Sequence, residues 1–163
     1  MLTAGTTVRH DLTVASGGTL IDPAVTVGHD LVAENAAGIA ISGDLVGHDL
    51  RIEGMSGSAT PAGNYVCDTT VRHDLVIEGG LSSAGALAVG GCPEGGNTVG
   101  HDLVVVGNAN TVTVAGNAAG HDLQVEGATA VAGAGNSAGH DLLVQGASAG
   151  ASAPSKPSKP PKH

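Results

Sequence analysis

The chain predicts an all-β fold, a single-stranded parallel β-helix, on three observations. The triplet His-Asp-Leu occurs seven times, beginning at His10, His29, His48, His73, His101, His121 and His140. Successive copies are 19, 19, 25, 28, 20 and 19 residues apart, a period of about 20 where helical repeats generally need more than about 30. The apolar material is aliphatic: 163 residues include no Phe, no Trp and one aromatic residue, Tyr65. Val, Leu, Ile and Ala fill a slim axis better than a wide globular centre, which usually relies on large aromatics.

Alignment on the His gives each element in turn. Two residues later come Leu12, Leu31, Leu50, Leu75, Leu103, Leu123 and Leu142, and four later Val14, Ala33, Ile52, Ile77, Val105, Val125 and Val144. Period two places both on one face of a first strand. Gly54, Gly79, Gly107, Gly127 and Gly146 follow, as a sharp corner requires. A second strand is read ten to thirteen residues after the His, from Leu20, Ile39 with Ile41, Val112 with Val114, and Val131. A third inward position lies two before it, at Val8, Val27, Val46, Val71, Val99, Ala119 and Ala138. Three short strands and three bends make one turn. About seven turns of roughly 19–20 residues, stacked about 4.8 Å apart, form a rod on the order of 30 Å long. No window carries a sustained helical stripe, and Gly and β-branched residues crowd every segment. Left-handed versions favour hexapeptide coils, which a 19-residue spacing does not fit, so a right-handed helix is expected.

The solenoid is placed at residues 1–146. The pattern stops there, and 147–163 ends in APSKPSKPPKH, whose Pro, Ser and Lys cannot join a sheet and read as a flexible tail. The net charge of −9 divides unevenly: Lys156, Lys159 and Lys162 all lie in the tail. The body holds only Arg9, Arg51 and Arg72 against 15 acids, or −12. Such a surface repels nucleic acids and anionic membranes, so neither is an expected partner. No apolar run of about 18 residues occurs, and membrane insertion is not expected. The start, MLTAGTTVRHDL, shows no basic segment leading into an apolar stretch, so the reading is a leaderless product or a mature form.

Units such as VGHDLVVVGN (99–108) give the body, over roughly residues 5–146, a resemblance to bacterial parallel β-helix repeat proteins. GNSAGHDLLVQG (135–146) is similar to the calcium-binding nonapeptide repeats of secreted toxins, with their Gly-x-Gly-x-Asp-x-apolar run. It departs from them in placing Leu directly after Asp and in having one run per turn, which puts calcium binding in doubt. The aromatic-poor, Val/Ile/Gly-rich coils are similar to those of bactofilins, polymer-forming β-helices, although no motif specific to that family occurs.

Stacking puts His10, His29, His48, His73, His101, His121 and His140 in one column, with Asp11, Asp30, Asp49, Asp74, Asp102, Asp122 and Asp141 beside it. Like charges about 4.8 Å apart oppose folding unless each is compensated by a backbone N–H, an imidazole or a cation. The residue before His is Gly in five copies and Arg in two, Arg9 and Arg72, so the joint does not demand a left-handed backbone. If the strand runs on, His points inward. If the chain bends there, the ring sits half-covered at a corner, His bonds along the stack, and Asp accepts backbone hydrogen bonds in an Asx-type turn. The corner is the favoured reading. For neutral, partly buried rings, acidification below about pH 6 is expected to weaken stability or assembly.

The two long turns break the repeat. Cys67 and Cys92 lie on the same side of adjacent turns, six and nine residues before a His, and a disulfide between them is expected. That places the protein outside the cell or at its surface. Seven equivalent His-Asp pairs do not supply the single asymmetric constellation that catalysis needs, so no enzyme and no catalytic residue is expected. The expectation is a non-enzymatic structural rod whose open ends stack head-to-tail on copies of itself, into filaments or a surface layer. The alternative is a cation-binding (Ca or Zn) or adhesive, ligand-binding module using the ladder or the 55–70 and 81–98 loops. No cofactor is expected beyond a possible divalent cation.

Overall fold

A computed structural model of the chain describes residues 3–146, apart from 62, 81–83, 109–110 and 129. The 147–163 tail lies outside the described residues, as do the side chain of Val131 and the burial of Gly146.

The chain coils as a parallel β-helix with three sheets running along it. The first sheet stacks the two-residue strands Thr7–Val8, Thr26–Val27, Leu45–Val46, Thr70–Val71, Thr98–Val99, Ala118–Ala119 and Ser137–Ala138. The second stacks Leu12–Val14, Leu31–Glu34, Leu50–Met55, Leu75–Gly80, Leu103–Asn108, Leu123–Ala128 and Leu142–Gly146. The third stacks Thr19–Pro23, Gly38–Ser42, Asn64–Cys67, Leu87–Gly90, Thr111–Ala115 and Ala130–Ala132. All pairings between these strands are parallel, and the seven leucines after His-Asp stand in one register.

That register makes the core. Leu31, Leu50, Leu75, Leu103 and Leu123 are fully buried beside Ile39, Ile41, Ile52 and Ile77. Leu12 and Leu142, in the first and last turns, are only half-buried, since a terminal turn is covered on one side. Each fully buried leucine contributes about 2 kcal/mol of transfer free energy.

The corners divide by backbone conformation. Six residues after the His, φ is positive at Gly54 (68°), Gly79 (65°), Gly107 (67°) and Gly127 (75°), as the corner reading requires. In the second turn Asn35 (φ 51°) holds that place; among side chains carrying a Cβ, Asn tolerates it best. The Gly before His has a different cause. Its φ is not left-handed, but a Cβ at Gly28, Gly47, Gly100, Gly120 or Gly139 would run into a backbone carbonyl of the turn below. Glycine here permits close stacking.

The two long turns fold onto the third sheet. The side-chain amide of the buried Asn64 donates to the carbonyls of Gly57 (2.9 Å) and Ala84 (2.6 Å), and its Oδ1 accepts from Ile39 N (2.9 Å) and Ala59 N (3.0 Å). A disulfide joins Cys67 to Cys92 across 25 residues, with Cα atoms 6.1 Å apart. Closing a loop of that length stabilises by about 3 kcal/mol in the chain-entropy picture.

Candidate functional site: the histidine–aspartate column

The chain bends at each His-Asp joint, which puts the rings at a corner and not in the core. From His29 to His140 the imidazoles form one stack, with centroids 4.7–5.2 Å apart and planes within 3–7° of parallel. Their side chains are 45–64% exposed.

One geometry repeats along the stack. His48 Nδ1 lies 3.1 Å from Asp30 Oδ1, one turn earlier, and 3.3 Å from Oδ2 of its own neighbour Asp49. The same pair of approaches recurs at His29, His73, His101, His121 and His140, all between 2.9 and 3.4 Å. The backbone N–H of each Asp also donates to Oδ1 of the Asp one turn earlier, at 3.0–3.2 Å. The Asx-type turn expected from sequence is thus replaced by a bond between turns. Ionised carboxylates only accept hydrogen bonds, so an Nδ1 facing two of them carries the proton. Among the described residues no protein group bonds to Nε2. His10 and Asp11 open the column: Asp11 accepts from His29 and Asp30, whereas His10 has no Asp one turn earlier.

This arrangement answers the charge problem, since every Asp from Asp11 to Asp122 is met by a backbone N–H and an imidazole of the next turn. It also changes what acid is expected to do. Burial pushes Asp30 up, but the N–H of Asp49, the hydrogen bond from His48 and the nearby imidazoles outweigh it and hold Asp30 below the usual carboxylate value. The Asp141 N–H and His140 hold Asp122 down likewise. The hydrogen bond to Asp49, with Asp74 and Asp102 nearby, raises His73 above the ordinary 6.5. A raised His contributes stability that is complete below its unfolded value and is lost as pH rises through the folded one. A lowered Asp contributes stability present above its unfolded value and lost as pH falls through the folded one. Melting temperature in chelator-treated buffer is therefore expected to rise as pH falls from about 8 to about 6, and to drop below about pH 4. A steady loss from about pH 7.5 to about pH 5 would contradict it.

A second column, not identified from sequence, runs inside the wall. Four residues before the His stand Asp44, Thr69, Asn97 and Asn117, all buried, with Asn136 half-buried beyond them. All but Asn97 follow a left-handed residue, at Gly43, Asp68, Gly116 and Gly135. The Oδ1 of Asn117 accepts from the backbone N–H (3.0 Å) and the amide (2.9 Å) of Asn97, and its own amide donates to Val89 O (2.8 Å) and Asn136 Oδ1 (3.0 Å). Thr69 N donates to Asn97 Oδ1 and Val25 N to Asp44 Oδ1. The signal in the sequence was the recurring Gly-Asn of Gly96-Asn97, Gly116-Asn117 and Gly135-Asn136.

The column brings together six of the His-Asp pairs found in sequence and Asp11 of the first, whereas Cys67 and Cys92 lie apart in their disulfide. Chemically it is a linear array of equivalent imidazoles and carboxylates on an exposed edge. No protein-family model matches the chain, and neither a curated protein nor a solved structure is detectably similar to it.

Proposed function

We propose that the protein is a non-enzymatic structural rod that assembles head-to-tail outside the cell. The polarity of the column carries this reading. Each turn offers a His Nδ1 and an Asp N–H towards the turn before it, and a carboxylate towards the turn after it. The first turn therefore presents His10 and the Asp11 N–H, and the last presents the Asp141 carboxylate, 75% exposed. A second copy in the same register joins these groups and continues the column. The apolar residues at the two ends, Leu12 and Val14 against Ala138, Leu142 and Val144, are half-buried, and stacking covers them. The Cys67–Cys92 disulfide supports an oxidising, extracellular setting.

Negative-stain microscopy and light scattering of the full chain test the reading. Wild-type protein is expected to form filaments one rod wide. Asp141→Lys, at an exposed terminal carboxylate, is expected to abolish them while shifting stability by less than about 0.5 kcal/mol. Uniform monomers of the wild type at high concentration would overturn assembly and favour a ligand-binding module.

A further inference from the structure

We propose that the His-Asp joints bind divalent transition-metal ions. Each ion is held by Nδ1 of two successive His and a carboxylate oxygen of the Asp between them. Five such groups stand in the column, His29–Asp30–His48, His48–Asp49–His73, His73–Asp74–His101, His101–Asp102–His121 and His121–Asp122–His140, with ligand atoms within 4.8 Å of one another. In each, the carboxylate lies 2.9–3.4 Å from both Nδ1 atoms. Two donors bound about 2.0–2.2 Å from one ion, at tetrahedral or octahedral angles, stand about 2.9–3.5 Å apart. The spacing that suits a shared proton therefore also suits a metal ion.

The exchange is simple in protons. The ion takes the place of the Nδ1 hydrogens of both rings, each of which transfers through water to Nε2 of its own ring, where it donates to solvent; no proton is lost. Oδ1 of each Asp keeps its bond from the next backbone N–H, so the stack need not open. The imidazole in the set favours Zn²⁺, Ni²⁺ or Cu²⁺ over Ca²⁺ and Mg²⁺, which take oxygen donors.

Charge sets the occupancy. With neutral rings each turn carries one negative charge, and every His between two groups serves both. An ion in alternate turns balances that charge. An ion in every turn leaves surplus positive charges separated by only the turn spacing, where repulsion is strong. Roughly three ions per chain are therefore expected.

Chelator-washed full-length protein is titrated calorimetrically with ZnCl₂ and, separately, with CaCl₂. The expected result is roughly three Zn²⁺ per chain, with Ca²⁺ at least about a hundredfold weaker. The double variant His73→Gln/His121→Gln is expected to lose at least half of the sites. Asp74→Asn, which keeps an acceptor for the Asp102 N–H, is expected to weaken uptake at the His73–His101 group. Nitrogen NMR of the wild type reads the ligand atom without any variant: Zn²⁺ is expected to move the Nδ1 resonances from donor to metal-bound positions. No Zn²⁺ uptake, equal uptake of Ca²⁺, metal shifts confined to Nε2, or unchanged stoichiometry in a folded double variant would each overturn the proposal. The wild-type readings do not depend on filament formation, so a monomer that takes up zinc would leave this site standing while the assembly reading fell.

Discussion

Replacing Asn117 by Ala is expected to lower the free energy of unfolding by about 3 kcal/mol. The side chain is fully buried and takes part in four hydrogen bonds with Asn97, Val89 and Asn136. Truncation leaves the Asn97 backbone N–H without its side-chain acceptor, takes one of two acceptors from the Asn97 amide, which keeps Val66 O, and removes a donor from the Val89 carbonyl. Each buried group so stranded costs on the order of 1–3 kcal/mol, and a site of this size admits a water that offsets part of the loss. Asn136→Ala, at a half-buried residue nearer the end, is expected to cost about 1 kcal/mol. Denaturant unfolding of the two variants in dilute solution gives both values. Losses under about 1 kcal/mol at Asn117 would mean that the inner column is incidental to folding.

Why that column escaped sequence reading, while the fold did not, is a matter of which constraint repeats strictly. A leucine two residues after every His must be buried in every turn, so the register shows in the letters. The inner column needs only a group that can satisfy a backbone N–H of a neighbouring turn. Asn97, Asn117 and Asn136 meet that need, as do Asp44 and Thr69, and Val25 shares the place; a mixed column leaves a weak pattern. Cys67 and Cys92 were legible because each lies a few residues before a His on adjacent coils, although the extra residues precede the strand Asn64–Cys67 in one turn and flank Leu87–Gly90 in the next. The Gly before His was legible as an ordinary backbone position, because Arg9 and Arg72 share it, but the carbonyl that excludes a Cβ belongs to another turn. The His-Asp column was legible as a column and illegible in its titration. Exposure of the rings and the second carboxylate on each Nδ1 depend on the tilt of the corner, which composition does not encode.

Leu103→Ala is expected to cost about 3 kcal/mol, and Leu142→Ala about 1 kcal/mol, in dilute solution. Both occupy one register column, Leu103 between Leu75 and Leu123, and Leu142 above Leu123. Leu103 is fully buried, and the turns above and below hold its walls apart by backbone hydrogen bonds, so the cavity collapses little. No Phe or Trp is present to swing into it. Among the described residues Leu142 has a register partner on one side only, and it is half-buried, so less surface is uncovered by its loss. The two costs are expected to converge as protein concentration rises, because a second rod docked on the last turn encloses Leu142 as Leu123 is enclosed. Thermal unfolding of both variants across a wide concentration range measures this convergence. Equal costs already in dilute solution would mean that the last turn is covered within one chain, and the head-to-tail contact would lose its apolar half.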